Sequence, residues 1–155
     1  MPEASERFEV GSGGIEDAKV RLEALEDHVE RLRRQALALV AEFRGRYPEG
    51  SVPAYITRSP DKSLTPLRWR VSPASPKGAR RRIEITGEEG EAILRCLPPA
   101  DRETWLDFER RRLEVNTALA TASYELARLR AYVQGVREWR RVWKAMVHEQ
   151  AVFTL

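Results

Sequence analysis

The 155-residue chain has one cysteine, Cys96, two widely separated histidines, His28 and His148, and few aromatic residues, 8% in all. A single thiol excludes an intramolecular disulfide and suits a reducing compartment. Two scattered imidazoles make no metal-ligand pattern, and neither a metal nor another cofactor is expected. No apolar run approaches the ~18 residues that would suggest a membrane span. The opening residues, Met1-Pro2-Glu3-Ala4-Ser5-Glu6-Arg7, lack the basic-then-apolar order of a secretory signal. These absences predict a cytoplasmic protein without membrane contact. Catalytic signatures are missing as well. Gly11-Ser12-Gly13-Gly14 has no preceding strand and no lysine placed for phosphate, and no nucleophile elbow organises the serines. Cys96 stands near Leu94 and Leu97 with no histidine close by in sequence, a poor setting for a nucleophile. Glu88-Glu89-Gly90-Glu91 reads as first-turn acids of a helix rather than a carboxylate site. Enzymatic activity is not expected.

What is present is a charged, helical composition. Charged residues reach 33% and apolar residues 42%, enough for one domain with its own core. From Pro99 to Ala151 an apolar seam repeats by threes and fours: Trp105, Phe108, Val115, Leu119, Ala122, Leu126, Leu129, Val133, Val136, Trp143 and Val147. Arg112 and Arg140 interrupt it and require a polar or edge explanation. A stricter seam runs through residues 15–47, at Ile15, Ala18, Leu22, Leu25, Val29, Leu32, Ala36, Leu39 and Phe43. Acids crowd its early turns and arginines its later ones, as the helix dipole favours. Pro48 and Gly50 stop it. Such a helix is about 50 Å long and must pair with something. The glycine- and serine-bearing residues 1–14 read as a flexible arm, although Phe8 and Val10 could dock onto the body.

Between the long helices the chemistry changes. Prolines 53, 60, 66, 73 and 76 exclude a helix, and three short strand-like stretches stand between turn-rich separators. They are 54–57, 67–71 and 82–86, and together they predict a three-stranded antiparallel meander over 52–86. Alternation puts Leu67, Trp69 and Val71 on the face shared with Ile83 and Ile85, and Arg68 and Arg70 on the other. A short helix over 88–97 follows. The fold class expected is therefore α+β, mostly α: an antiparallel two-helix coiled-coil hairpin, helices 15–47 and 99–151, with the meander inserted between them. Residues 15–155 then make one domain, with Phe43 near Trp105 and Ile15 near Val133. The second helix is longer by about 20 residues, or about 30 Å. That overhang carries Trp139, Trp143, Met146 and Val147, an apolar surface that folds back, covers the N-terminal arm or meets a protein partner, and a homodimer is expected.

Charge supplies the other functional clue. Residues 49–86 hold eight Lys/Arg against three acids, residues 1–48 eight against ten, and residues 87–155 eleven against eleven. The net charge of +3 thus comes from the meander. Arg58, Lys62, Arg68, Arg70, Lys77, Arg80, Arg81 and Arg82 are the candidate phosphate contacts, with Tyr55 or Trp69 able to stack a base if exposed. The competing view of Trp69 is a core residue of a small sheet. Asp101, Glu103, Asp107 and Glu109 with Arg110, Arg111 and Arg112 read as ion pairs on a helix surface.

Leu67-Arg68-Trp69-Arg70, followed after a short helix by Phe108-Glu109-Arg110-Arg111-Arg112-Leu113-Glu114-Val115-Asn116-Thr117-Ala118-Leu119, resembles a family of uncharacterised proteins carried on bacterial integrating conjugative elements. The likeness covers residues 65–133, with Val115 where that family has leucine before the asparagine. It implies a mobile-genetic-element setting and transfers no catalytic residue. Two functions follow from the sequence. One is a DNA- or RNA-binding accessory protein gripping phosphate through the basic meander. The other is a protein-interaction or inhibitor module that docks through the helical seam and the tryptophan overhang.

Overall fold

In a computed structural model, the structure describes residues 12–59, 66–72 and 81–152. The elements in chain order are α1 (Ser12–Arg46), β1 (Ala54–Arg58), β2 (Leu67–Val71), β3 (Arg82–Ile83), α2 (Glu88–Cys96) and α3 (Pro99–Val152). The fold is α+β and mostly α, with one antiparallel sheet of order β1-β2-β3. Boundaries differ from expectation chiefly at the start of α1 and in β3. Ser12, Gly13 and Gly14 belong to α1 rather than to the arm, whose residues 1–11 lie outside the described residues. β3 is only two residues long, and Ile85 is buried in the turn after it. The separators 60–65 and 73–80 lie outside the described residues. No helix of the described residues is long and apolar enough to cross a membrane.

Among the described residues, contacts gather into two compact units, one within 28–123 and one combining 12–27 with 124–152. The first centres on Phe43, which has no exposed surface. Its ring meets Trp69, Trp105 and Phe108 edge-on at centroid distances of 5.3, 5.3 and 5.2 Å, and Trp69 stacks on Trp105 at 5.2 Å. Edge-to-face and offset-stacked pairs of this kind add about 0.5–1.5 kcal/mol each beyond area burial. The sheet turns one face inward through Ala54, Ile56, Leu67, Trp69, Val71 and Ile83, as period-two alternation requires. Registers set Ile56 opposite Trp69 and Trp69 opposite Ile83.

The turns of this unit are closed by specific contacts. Gly50 sits at φ 80°, where a side chain would be strained, and it follows the stop at Pro48. The Arg102 guanidinium donates to the carbonyls of Leu97 and Arg95 at 2.9 Å each and so satisfies the end of α2. Glu88, Glu89 and Glu91 occupy the first turn of α2, where the dipole favours acids.

In the second unit Ile15, Ala18 and Leu25 of α1 are buried, as are Leu126 and Val133 of α3. Arg21 donates to Glu125 at 2.8 Å through Nε, and Arg130 donates to Glu26 at 3.0 Å. A Cβ added at Gly14 would lie 3.6 Å from the Tyr132 hydroxyl, which places the start of α1 beside that residue.

Candidate functional site

Three surfaces or clusters could carry function: the sheet's outward face, a buried polar cluster on α3, and the last turns of α3. On the outward face, register brings Tyr55 opposite Arg70 and Arg70 opposite Arg82, while Thr57 faces Arg68. The sheet therefore gathers Arg68, Arg70 and Arg82 beside Tyr55. Arg68, Arg70 and Tyr55 are half-buried there. Arg58 is exposed but has the strand parity of Ala54 and Ile56, so it does not join that row. Lys62, Lys77 and Arg80 lie outside the described residues.

Two of these cations already have carboxylate partners. Arg81 grips Glu89 through both guanidinium nitrogens, one of them at 2.7 Å, and this bond raises its affinity for its own proton. Arg82 donates to Glu84 at 3.0 Å. Arg70 is also engaged. The acid that neutralises Arg81 comes from α2, beyond the stretch whose charge excess marked the meander as basic. Trp69 is 1% exposed, so it is a core residue and offers no stacking face to a base.

The second cluster is buried. Glu109 and Arg112, expected on the helix surface, are 5% and 8% exposed. The Arg112 guanidinium donates to Glu109 from Nε at 2.7 Å and from Nη2 at 2.9 Å, and from Nη1 to the Leu67 carbonyl at 3.0 Å. The Trp69 indole N–H donates to Glu109 at 2.7 Å. Asn116 brackets the same strand residue, accepting from the Leu67 amide at 2.8 Å and donating to its carbonyl at 2.9 Å. Positions 109, 112 and 116 are spaced by three and four, so they form one polar row on α3 that holds β2 by its backbone and its indole. This row is the polar explanation that Arg112 required. It joins the two stretches on which the resemblance rests, 67–70 and 108–119. Fully bonded, it fixes strand and helix together and leaves no acid or base free for chemistry.

Other charged groups are structural too. Arg111 donates to Glu42 at 3.1 and 2.5 Å, and the bond holds the Glu42 carboxyl below the usual carboxylate range. Burial and the Asp101 carboxylate, to which the Tyr47 hydroxyl donates at 2.7 Å, push the Tyr47 phenol up. Two open grooves lie along the helices, one lined by Leu32, Gln35, Arg111 and Glu114, the other by Leu22, Glu26, Arg130 and Arg137. Neither gathers a nucleophile with a base. Among the described residues no group of three His, Cys, Asp or Glu side chains is placed to hold a metal ion. Cys96 is exposed.

The third surface is the end of α3. Trp139, Val142, Trp143, Met146 and Val147 are 53%, 44%, 58%, 52% and 45% exposed. Trp139 and Trp143, one turn apart, stack at a centroid distance of 5.6 Å with their planes 27° apart. By helical spacing Arg140 flanks Trp143 on one side and Glu138 and Glu149 border the patch on the other, while Arg137, Arg141 and Lys144 fall toward the far side of the helix. Only Arg141 makes an ion pair with a described residue, Glu138 at 3.1 Å. Arg140, the second break in the seam, is a half-buried side chain at the edge of this patch. No family model, curated protein or solved structure matches the chain.

Proposed function

We propose that this chain is a non-enzymatic interaction module that docks on a partner protein through the tryptophan-bearing end of α3. The observation that carries this reading is the run of five large apolar side chains, each at least 44% exposed, within nine residues. Contiguous exposed apolar surface of this kind marks interaction sites, and tryptophan and arginine are both enriched at energetic hot spots. Arg140 beside Trp143 suits an acidic group on an amphipathic partner segment. A homodimer is the competing arrangement. The long helices serve the docking end as a stalk: α1 and α3 pair as an antiparallel coiled-coil hairpin, a geometry favoured by Phe43 against Trp105 in one unit and by Gly14 beside Tyr132 in the other. The setting that fits the resemblance and the free thiol of Cys96 is the bacterial cytoplasm, on a mobile genetic element.

A second reading, phosphate contact with DNA or RNA by the sheet, is favoured by the outward row of Arg68, Arg70 and Arg82 beside Tyr55. It is weakened by the carboxylates on Arg81 and Arg82. One comparison separates the two. A photoreactive group in place of Trp143 should give an adduct with an acidic partner segment, while the same group in place of Val20, which is exposed but isolated, should give none. An equal yield at both positions, or none at position 143, contradicts docking. Binding of duplex DNA that falls steeply with salt and disappears in R68A/R70A would favour the second reading instead.

A further inference from the structure

Ser72 follows β2 and continues its alternation, so it shares the outward face with Arg68 and Arg70. It is nevertheless 2% exposed, and its amide donates to the Pro53 carbonyl at 2.8 Å. Tyr55, also on that face, lines a narrow cleft with it, and across the cleft lies the turn that follows α1. The Ser51 amide and hydroxyl both donate to the Pro48 carbonyl, at 3.0 and 2.6 Å, and Gly50 at φ 80° takes the third position of that turn, where glycine is required.

The Ser72 hydroxyl is buried and makes no hydrogen bond. A buried polar group without a partner costs more than an ordinary hydrogen bond returns, so each one calls for an explanation, a bound ion among them. The Tyr47 hydroxyl, which lines the same cleft, is already committed to Asp101. Arg44 and Glu49 complete the charged lining, and Arg44 makes no ion pair with a described residue. Arg46 lies 6.0 Å over the Tyr47 ring, and Arg70 stands opposite Tyr55. Cations thus outnumber acids around the cleft. Arginines in the last turn of α1 also offset the helix dipole, so Arg44 alone would mark no site. The unpartnered hydroxyl beneath it does.

We propose that this cleft binds a small oxyanion, a carboxylate or phosphate group, with one oxygen accepting from the Ser72 hydroxyl and the charge facing Arg44. The volume of about 20 Å³ admits one oxygen-sized group, so the body of the anion stays at the mouth beside Tyr55. The site belongs to the unit within 28–123 and does not rest on the docking reading.

Thermal unfolding of the full chain in inorganic phosphate and in acetate, each against chloride at equal ionic strength and pH, tests this. Both anions should raise the unfolding midpoint of the unmodified chain. S72A removes the hydroxyl and leaves every charge in place. It should unfold at a higher temperature than the unmodified chain in chloride, because the unpartnered group is gone, and should lose the response to the anions. R44Q keeps the hydroxyl, and its affinity for phosphate should fall about tenfold, the weight of one charge-assisted hydrogen bond. The Ser72 amide resonance should move with added phosphate in the unmodified chain, which reads the site whatever the variants do to stability. Equal anion responses in all three proteins overturn the proposal, because they would come from arginines scattered over the surface. A Ser72 amide that does not move overturns it too and leaves water as the partner of the hydroxyl.

Discussion

Glu109 is the side chain on which most of the buried polar chemistry converges, because it accepts from both Arg112 and Trp69. Removing it strands a guanidinium that is 8% exposed and an indole N–H in the core. Breaking a buried pair from one side costs about 3–5 kcal/mol, a large share of the ~5–15 kcal/mol that holds a domain of this size. E109A should therefore shift the urea midpoint sharply downward. Replacing both partners with apolar residues, as E109L/R112M, should cost much less, and equal losses would mean that the pair has no special weight. The sequence showed Arg112 as an anomaly in an apolar seam but hid its partner. Glu109 lies next to Phe108 amid other acids and arginines, and i,i+3 spacing is the same for a surface pair as for a buried one. Only the position of β2 above the helix distinguishes them.

Tyr47 gives the second residue-level expectation. Its phenol is held above the ordinary value by burial and by Asp101. A group whose folded-state value is raised contributes stability below the unfolded value, near pH 10, and loses it as pH climbs through the folded one. Y47F should cost about 1 kcal/mol at neutral pH and should flatten the fall in stability above pH 10. An alkaline limb identical to that of the unmodified chain would contradict this account.

Elements show a different balance of what pattern reveals. Both long seams and all three strands were legible, because a period of 3.5 or 2 is written in the residues themselves. The charge of the sheet was not. Counting Lys and Arg between 49 and 86 omits Glu89, which belongs to the next helix and folds back onto Arg81. The tight entry to α2 was equally invisible. A Cβ at Gly90 would stand 2.2 Å from the Ile85 carbonyl oxygen and 2.4 Å from that of Glu84, both backbone atoms that cannot yield. G90A should destabilise by about 1–3 kcal/mol despite the better helix propensity of alanine. Gly45, in α1 with nothing within 4 Å, is the control: G45A should stabilise by about 0.5–1 kcal/mol. Thermal unfolding of the two variants reads both signs, and a stabilised G90A would remove the close approach from the account.

At the scale of the molecule, apolar surface lies at the end of one long helix while the polar row of Glu109, Arg112 and Asn116 is turned inward and hydrogen-bonded. The greater length of α3 was legible, since its apolar spacing continues past Gly135. An occupant of that face was not legible, because a helix face specifies the chemistry that suits it and not which chain supplies it. In the proposed docking reading, Trp139 and Trp143 with Arg140 beside them suit an apolar segment that carries an acid. The most direct measurement is photo-cross-linking from position 143 beside position 20. Adducts from 143 alone, mapping to acidic amphipathic sequence, are the predicted result; a silent position 143, or equal capture from position 20, would contradict a docking face at the end of α3.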